Sequence, residues 1–512
     1  RHLGQAGELE AEGLLAQQAL ALDDSEATLR AFFWSAQRAR LFPEALDAVR
    51  QIEAQYGPEP TPAQQVILDK LQRSPVQQLR VLDLLDTAPV DAPEPVPGRV
   101  AYLLHNSLPY SSGGYGTRSH GIAQGLRAAG WDVLALTRPG FPLDIKPELT
   151  ADDVPTEDVI DGIRYLRTLA PLRTGHTVRS YVTEAAEALE AQLRALRPSC
   201  VVAASNHLTG LPAMIAARRL GLPFCYEVRG LWEITRMSRD ADFEESAAFT
   251  MQRLFEARVA TDAAQVFTLT EPMREELVAR GVDAERIELL PNSCDPDRFL
   301  PRPRDAALAA RLGIPEDVPV IGYVGTFVDY EGLEDLASAC ALLKARGRAF
   351  RLLLVGNENA SGTDRGPITQ QIVDIAETAG LQDWLLMPGR VPHDEVEAWY
   401  SLIDVAPFPR KPWPVCEMVS PMKPLEALAM EKAVVVSDVR ALAEMVRDGE
   451  TGAWFRKGSV ESLAEVLERL LADPATRQRL GRAGRQWVQR ERTWDSVGRR
   501  MAERLQALAR RS

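Results

Sequence analysis

The chain has 512 residues, 46% of them hydrophobic and 26% charged. That length implies two or three cores, and that composition excludes disordered, fibrous and disulfide-scaffold classes. With 59 basic against 72 acidic side chains the formal charge is −13, so the surface as a whole is not built for polyanions, although a local basic cleft is compatible with it. Five cysteines (Cys200, Cys225, Cys294, Cys340, Cys416) lie far apart with no CxxC pair, which predicts reduced, buried thiols in a cytoplasmic protein. No apolar run approaches the ~18 residues of a membrane span, and the opening RHLGQAGELEAEG has no signal-peptide core. A cytoplasmic location is expected, with peripheral membrane contact left open.

Along residues 1–86, Ala, Leu, Gln and Glu recur at helical spacing in four stretches, 8–20, 25–40, 43–56 and 61–85, with no strand-like run between them. Too few copies repeat for a solenoid, so a helical module is predicted, for oligomerisation or docking. Residues 87–98 (TAPVDAPEPVPG) read as a Pro-rich linker. Strand and helix signals then alternate, which predicts βαβ units and parallel sheets. Six strands are expected within 99–296, at 100–105, 132–137, 200–204, 224–228, 265–269 and 287–290. A second series within 297–486 comprises VIGYVGTF, RLLLVGNE, WLLMPG, DVAPFP, AVVVSD and TGAWF. The fold class is α/β: two tandem Rossmann-like domains facing across a cleft, preceded by an all-α bundle. A last helix, in 487–512, is expected to cross back to the first of them. Ligands of such sheets bind beyond the carboxyl ends of the strands, so the cleft is the expected site.

Three sets of residues point into that cleft. HNSLPYSSGGYGTRSHG places Gly113, Gly114 and Gly116 between a strand and a helix, where backbone amides approach a phosphate; a flexible turn would read the same way. A dinucleotide fingerprint fits poorly, because its third small residue falls on Ser119 and the second strand ends in Thr137. CEMVSPMKPLEALAM puts Pro424 at the start of a helix, Lys423 just before it and Glu426 in its first turn. A carboxylate there is placed to accept ribose hydroxyls, and Lys423 with the amides around Ser420 to neutralise a pyrophosphate; helix capping alone is the alternative. His207, Arg229, Arg390 and Arg410 each follow a predicted strand. No HExxH, clustered His/Cys or paired Asp series occurs, so no protein-held metal is expected.

Together these residues resemble the family-4 retaining glycosyltransferases of the GT-B fold, over about residues 99–512. The landmarks come in family order: GGYGTRSHGIAQGLRAAGWDV, SNHLTGLPAMIAARRLGLPFCYEVRG, LTEPMREELVARGVDAERIELLPNSCDPDRF, YVGTFVDYEGLEDL, LLLVGNENASG, LMPGRVPHDEVEAWYSLIDVAPFP, SPMKPLEALAM and DGETGAWF. The resemblance implies an acceptor side in 99–296 and a donor side in 297–486. It implies that Glu426, the second Glu of an E-x7-E motif, binds the nucleotide ribose. Glu417 matches the first Glu, beside the donor sugar, but the spacing is one residue longer, so Glu417 or the backbone of 418–420 takes that role. By the same carry-over Arg390 and Val391 pack on the base, His207 lies near the transferred sugar, and Gly113 and Gly114 face the diphosphate. One departure stands out. The family commonly has G-R…K-G after the first strand of the second domain, and this chain has Gly325-Thr326 and Tyr330-Glu331-Gly332. Lys423, with Arg410, Arg229 or Arg118, is expected to supply the missing charge.

The implied activity is hexosyl transfer with retention from a nucleoside diphosphate sugar, UDP by family habit, with no metal or other cofactor. The acceptor would be a glycan, lipid-linked or small molecule, in polysaccharide or glycoconjugate biosynthesis. Nucleic acid is not an expected partner, whereas a homo-oligomer through the N-terminal helices is left open. Two alternatives remain: a nucleotide-sugar epimerase of the same fold, and a catalytically silent binding subunit with the helices as its arm. Residues 164–179 (RYLRTLAPLRTGHTVR) form a basic stretch that is either a solvated face or a contact for an anionic acceptor, and Glu233 is expected at the surface or facing the acceptor.

Overall fold

The computed structural model describes residues 2–86, 89, 93–358, 366–392 and 395–510, with backbone only for 2–10. Part of the predicted linker (87, 88, 90–92), the end of LLLVGNENASG with the three residues after it (359–365) and residues 393 and 394 of VPHDEV lie outside the described residues.

The alternating texture resolves into two sheets. Strands β1 (Arg99–Leu104), β2 (Asp132–Thr137), β3 (Glu157–Ile160), β4 (Ile163–Leu166), β5 (Cys200–Ala204), β6 (Phe224–Val228), β7 (Gln265–Thr268) and β8 (Ile287–Leu289) form the first, in the order β3-β4-β2-β1-β5-β6-β7-β8. All its pairings are parallel except the β3–β4 hairpin. That hairpin was not among the predicted strands. It turns through Asp161 and Gly162, both with positive φ (49° and 76°), the backbone that an Asp-Gly pair adopts in a tight hairpin turn. The second sheet is wholly parallel: β9 (Val320–Val324), β10 (Arg351–Val355), β11 (Leu385–Gly389), β12 (Val405–Phe408), β13 (Ala433–Ser437) and β14 (Ala453–Phe455), in the order β11-β10-β9-β12-β13-β14. Central strands such as β5 and β13 are buried along their whole length, which is why they read as unbroken aliphatic runs.

Alternation along β1 shows what covers the first sheet. Ala101 and Leu103 belong to a core shared with Leu29, Phe33, Val49, Ile52 and Leu79 of the N-terminal helices. Val100, Tyr102 and Leu104 face the other way, into a core closed by Trp494, Val497, Met501 and Leu505. Between the N-terminal helices and the sheet lie the helices Val178–Leu196 and His207–Arg219, on which residues 75–86 pack, and Leu14, Leu15, Leu22 and Val66 face outward. The fourth predicted stretch is a helix only over Pro62–Gln72; Pro75 then opens a 3₁₀ segment, Pro75–Asp86, because proline cannot continue the α-helical hydrogen-bond ladder.

The C-terminal helices cross between the sheets. Pro474–Glu491 packs on the second sheet, its Gly481 and Gly484 seated on the backbone of Glu431 and on Leu428. The chain passes the inter-sheet segment, where the Cys294 amide donates to Arg492 O at 3.0 Å, and the helix Trp494–Ala509 then lies against the helix Gly114–Ala128. Trp494 fits over Gly121, and Gly498 meets Gly125 backbone to backbone, so close that a Cβ on either would overlap its neighbour. Gly498→Val is therefore expected to destabilise the fold by about 3 kcal/mol through overpacking. The drop in urea midpoint relative to wild type measures it.

Candidate functional site

Strand order reverses beside β1 and β9, each flanked by strands whose crossovers leave in opposite directions, and such points open a crevice at the carboxyl ends. A cleft of about 550 Å3 lies there, lined from the first sheet by Tyr115, Arg118 and Arg229 and from the second by Gly325, Arg410, Lys423 and Glu426. Through Val324, Gly325, Thr326 and Val396 it continues into a pocket of about 330 Å3 that holds Asn357, Arg390 and Val391.

Each wall carries a buried carboxylate between two cations. On the first, Glu227 is fully buried and accepts from Arg118 Nε and Arg229 Nη2, both at 2.8 Å, and from the Tyr102 hydroxyl at 2.5 Å. Arg118 also donates to Leu290 O at 2.7 Å and Asn292 Oδ1 at 3.0 Å, and Asn292 Nδ2 donates to Ser420 O across the cleft at 2.7 Å. On the second wall, Glu331 accepts from Arg410 Nη2 at 2.8 Å, Arg410 Nε at 3.3 Å and Lys423 Nζ at 3.2 Å. Arg410 spends its remaining arm on Val419 O at 2.8 Å.

Burial alone would raise both carboxyls. For Glu227 first Arg229 and then Arg118, and for Glu331 first Arg410 and then Lys423, overcome that and hold each down to about 2, against an ordinary 4.5. Because the folded values are depressed, the unfolded chain takes up protons first. The stabilisation is complete above pH 4.5 and is lost as pH falls towards 2, at roughly 3 kcal/mol for each group. Acid unfolding followed by circular dichroism is expected to steepen over that window, and to be shallower in Glu227→Gln.

The predicted residues divide. Lys423, Arg410, Arg229, Ser420, Gly114, Thr326 and Glu426 line the cleft, and Arg390, Val391 and Thr326 the adjoining pocket. Gly113 is the open N-cap of the helix Gly114–Ala128. Glu426 accepts from the Tyr400 hydroxyl at 3.3 Å, and burial raises its carboxyl. The helix begins one residue earlier than expected, at Lys423.

One expectation is corrected, that for Glu233, and two residues named by the resemblance, Glu417 and His207, fall outside the lining of the cleft. Glu417 is not among the cleft-lining residues: it pairs with Lys457 Nζ at 2.5 Å and accepts from the Arg440 amide at 2.9 Å, capping a short helix, while Val419 and Ser420 line the cleft. His207 does not line the cleft either; it is buried, stacked on Phe255, with Nδ1 3.1 Å from Glu256 Oε1. Glu233 is neither surface nor acceptor-facing, but buried against Arg280 Nη1 at 2.6 Å. The basic stretch is partly neutralised: Arg164 pairs with Glu157 at 2.7 Å and Arg167 with Asp158 at 2.5 Å, both carboxylates supplied by β3.

Glu227 and Tyr102 were not singled out by sequence. Their signal was faint: a lone Glu and a lone Tyr inside apolar strands, whose burial demands partners.

Two parallel-sheet units meeting at a cation-lined cleft define the GT-B class of transferase. Residues 305–487 match the family described as "Glycosyl transferases group 1", and residues 113–293 the "Glycosyl transferase 4-like domain". Over 292 residues the chain is 30% identical to a 2-deoxystreptamine glucosyltransferase of Streptomyces kanamyceticus, covering 55% of this chain and 71% of that one. It is 25% identical over 398 residues to a D-inositol 3-phosphate glycosyltransferase of Nocardia farcinica, covering 76% and 84%. The sucrose-phosphate synthase of Thermosynechococcus elongatus shares the fold with a TM-score of 0.65 at 22% identity, over 81% of this chain and 100% of that one. Anabaena HepE in complex with UDP-glucose shares it with a TM-score of 0.60 at 14% identity, over 80% and 99%. The chain belongs to the family-4 glycosyltransferases of the GT-B fold. It is a glycosyltransferase, and among the described residues no helix is long and apolar enough to cross a membrane.

Proposed function

We propose that the protein transfers a hexosyl group with retention from a UDP-sugar to a hydroxyl of a small-molecule acceptor held by the first sheet. The observation that carries this reading is Lys423. Its side chain crosses the glycine floor at Gly325, where a Cβ would overlap Lys423 Cε, and it stands in the cleft between the two sheets with Glu426 one turn further on. A cation there neutralises a departing diphosphate, and Glu426 suits the ribose hydroxyls, with no metal in the scheme. The bond from sugar C1 to the diphosphate oxygen breaks, the acceptor oxygen bonds to C1 on the same face, and the acceptor's proton passes to the leaving phosphate. The chain's role is to position both substrates and to stabilise the departing charge. HepE, bound to UDP and UDP-glucose, supports the choice of nucleotide, and the relatives named for 2-deoxystreptamine and D-inositol 3-phosphate support a small acceptor over a polymer.

Nucleotide release from UDP-, GDP- and ADP-sugars, with and without acceptor, tests this, with the anomeric coupling of the product read by proton NMR. Release from the UDP-sugar with a retained anomer is the expected result. Preference for GDP- or ADP-sugar overturns the nucleotide, an inverted anomer overturns retention, and deuterium incorporation at sugar C2 without acceptor points to an epimerase.

A further inference from the structure

A separate cavity of about 320 Å3 opens beyond the carboxyl ends of β1 and β2, lined by His105, Arg138, Asp144, Arg173, Leu208 and Trp232 among others. It adjoins the donor cleft through two connections. The His105 amide donates to the hydroxyl of Tyr115 at 2.8 Å, and Tyr115 lines the cleft. The segment Arg229–Trp232 begins in the cleft at Arg229 and reaches this cavity at Trp232.

Its lining has the makings of a carbohydrate site. Trp232 is 45% exposed, a large indole left open at a cavity, with its ring centroid 4.9 Å from that of His105 at 80°. Arg138 and Asp144 pair at the floor, both almost completely buried, and Arg138 Nε and Asp144 Oδ1 have no partner within the protein. Both side chains line the cavity, and an unfilled donor and an unfilled acceptor are the groups that a hydroxyl, able to give and accept a hydrogen bond, can satisfy. The charges nearly cancel. Asp144 matches Arg138, and His105 is held neutral, its imidazole lowered to about 3 by burial, then by Arg138 and His207. Arg173 rests over the Tyr181 ring with Nη1 on His176 O at 2.8 Å, and adds a single cation. That is too little for a polyanion, and the exposed indole fits a ring face.

We propose that this cavity binds the acceptor as a polyhydroxylated six-membered ring carrying at most one acidic group, its face on Trp232 and its hydroxyls at Arg138 and Asp144. The assignment of the ring as acceptor rests on the transferase reading; the ring site itself does not. Saturation-transfer NMR on the full chain, with and without UDP, tests binding of methyl α-D-glucopyranoside, myo-inositol and glucose 6-phosphate, with dihexanoyl phosphatidylglycerol as the lipid arm. At least one ring is expected to receive saturation, and Trp232→Ala to weaken it by roughly tenfold, as for a buried aromatic anchor. Trp232→Phe should restore most of the loss. In turnover, the ratio of transfer to donor hydrolysis should fall about tenfold in Trp232→Ala, mainly through acceptor KM. Saturation of the lipid alone, of no ring, or equally in wild type and Trp232→Ala overturns the proposal. Ring binding that depends on Trp232, with no nucleotide sugar consumed, upholds the site and overturns the transferase reading instead.

Discussion

Lys423→Ala is expected to lower kcat for the donor by about 10²–10³-fold, corresponding to about 3–4 kcal/mol of lost transition-state stabilisation, with little change in thermal midpoint. On the proposed reading, exposure decides which cation meets the diphosphate. The side chains of Arg118, Arg229 and Arg410 are 3%, 6% and 7% exposed and bound to Glu227 or Glu331, whereas that of Lys423 is 22% exposed. The three arginines brace the site, and Lys423 is the cation that can turn from Glu331 to a phosphate oxygen without leaving a buried charge unpaired. Lys423→Arg keeps the charge but brings a wider, planar head over Gly325, so partial activity is expected. Steady-state kinetics with the preferred donor check both variants, and near-normal turnover in Lys423→Ala would remove the lysine from the mechanism.

The fold was legible where local chemistry and global environment agree. The six strands predicted in 99–296 and the six in 297–486 were found because buried parallel strands are short aliphatic runs between turns. The β3–β4 hairpin is marked in the sequence by Asp161-Gly162, but its strands, EDVI and IRYL, are four residues each and interrupted by charge, so neither forms an aliphatic run. The cleft-lining residues Lys423, Arg410, Ser420 and Glu426 were legible because each sits at a strand end or helix start. The partners that determine what those residues can do were not. Glu331 comes from the loop after β9 and meets Arg410 79 positions on, and Glu227 meets Arg118 from 109 positions away. Such pairings depend on topology, which spacing alone does not encode. The Trp232–His105 contact is hidden for the same reason: the two are far apart in sequence and meet beyond the carboxyl ends of β6 and β1, which β5 separates in the sheet.

Glu331→Gln is expected to separate stability from ligand response. Glu331 stands where the family commonly has a lysine, and its buried carboxylate matches two cations, so the wall of three groups carries a net single positive charge. An amide of the same shape keeps one acceptor for Arg410 but removes the countercharge. Breaking a buried pair in this way costs about 3–5 kcal/mol, and the thermal midpoint of the unliganded protein should fall accordingly. The same change leaves Arg410 and Lys423 uncompensated in a low-dielectric cleft, where an added diphosphate takes over the lost anion's role. UDP should therefore raise the midpoint of Glu331→Gln by more than it raises that of wild type, and the excess should shrink with added salt where solvent reaches Lys423. A lower midpoint with an unchanged or smaller UDP-induced shift would mean that Glu331 only holds the fold. A larger shift would mean that this carboxylate sets the charge the donor meets, and that the cleft works with a cation restrained by its own counterion until the diphosphate arrives.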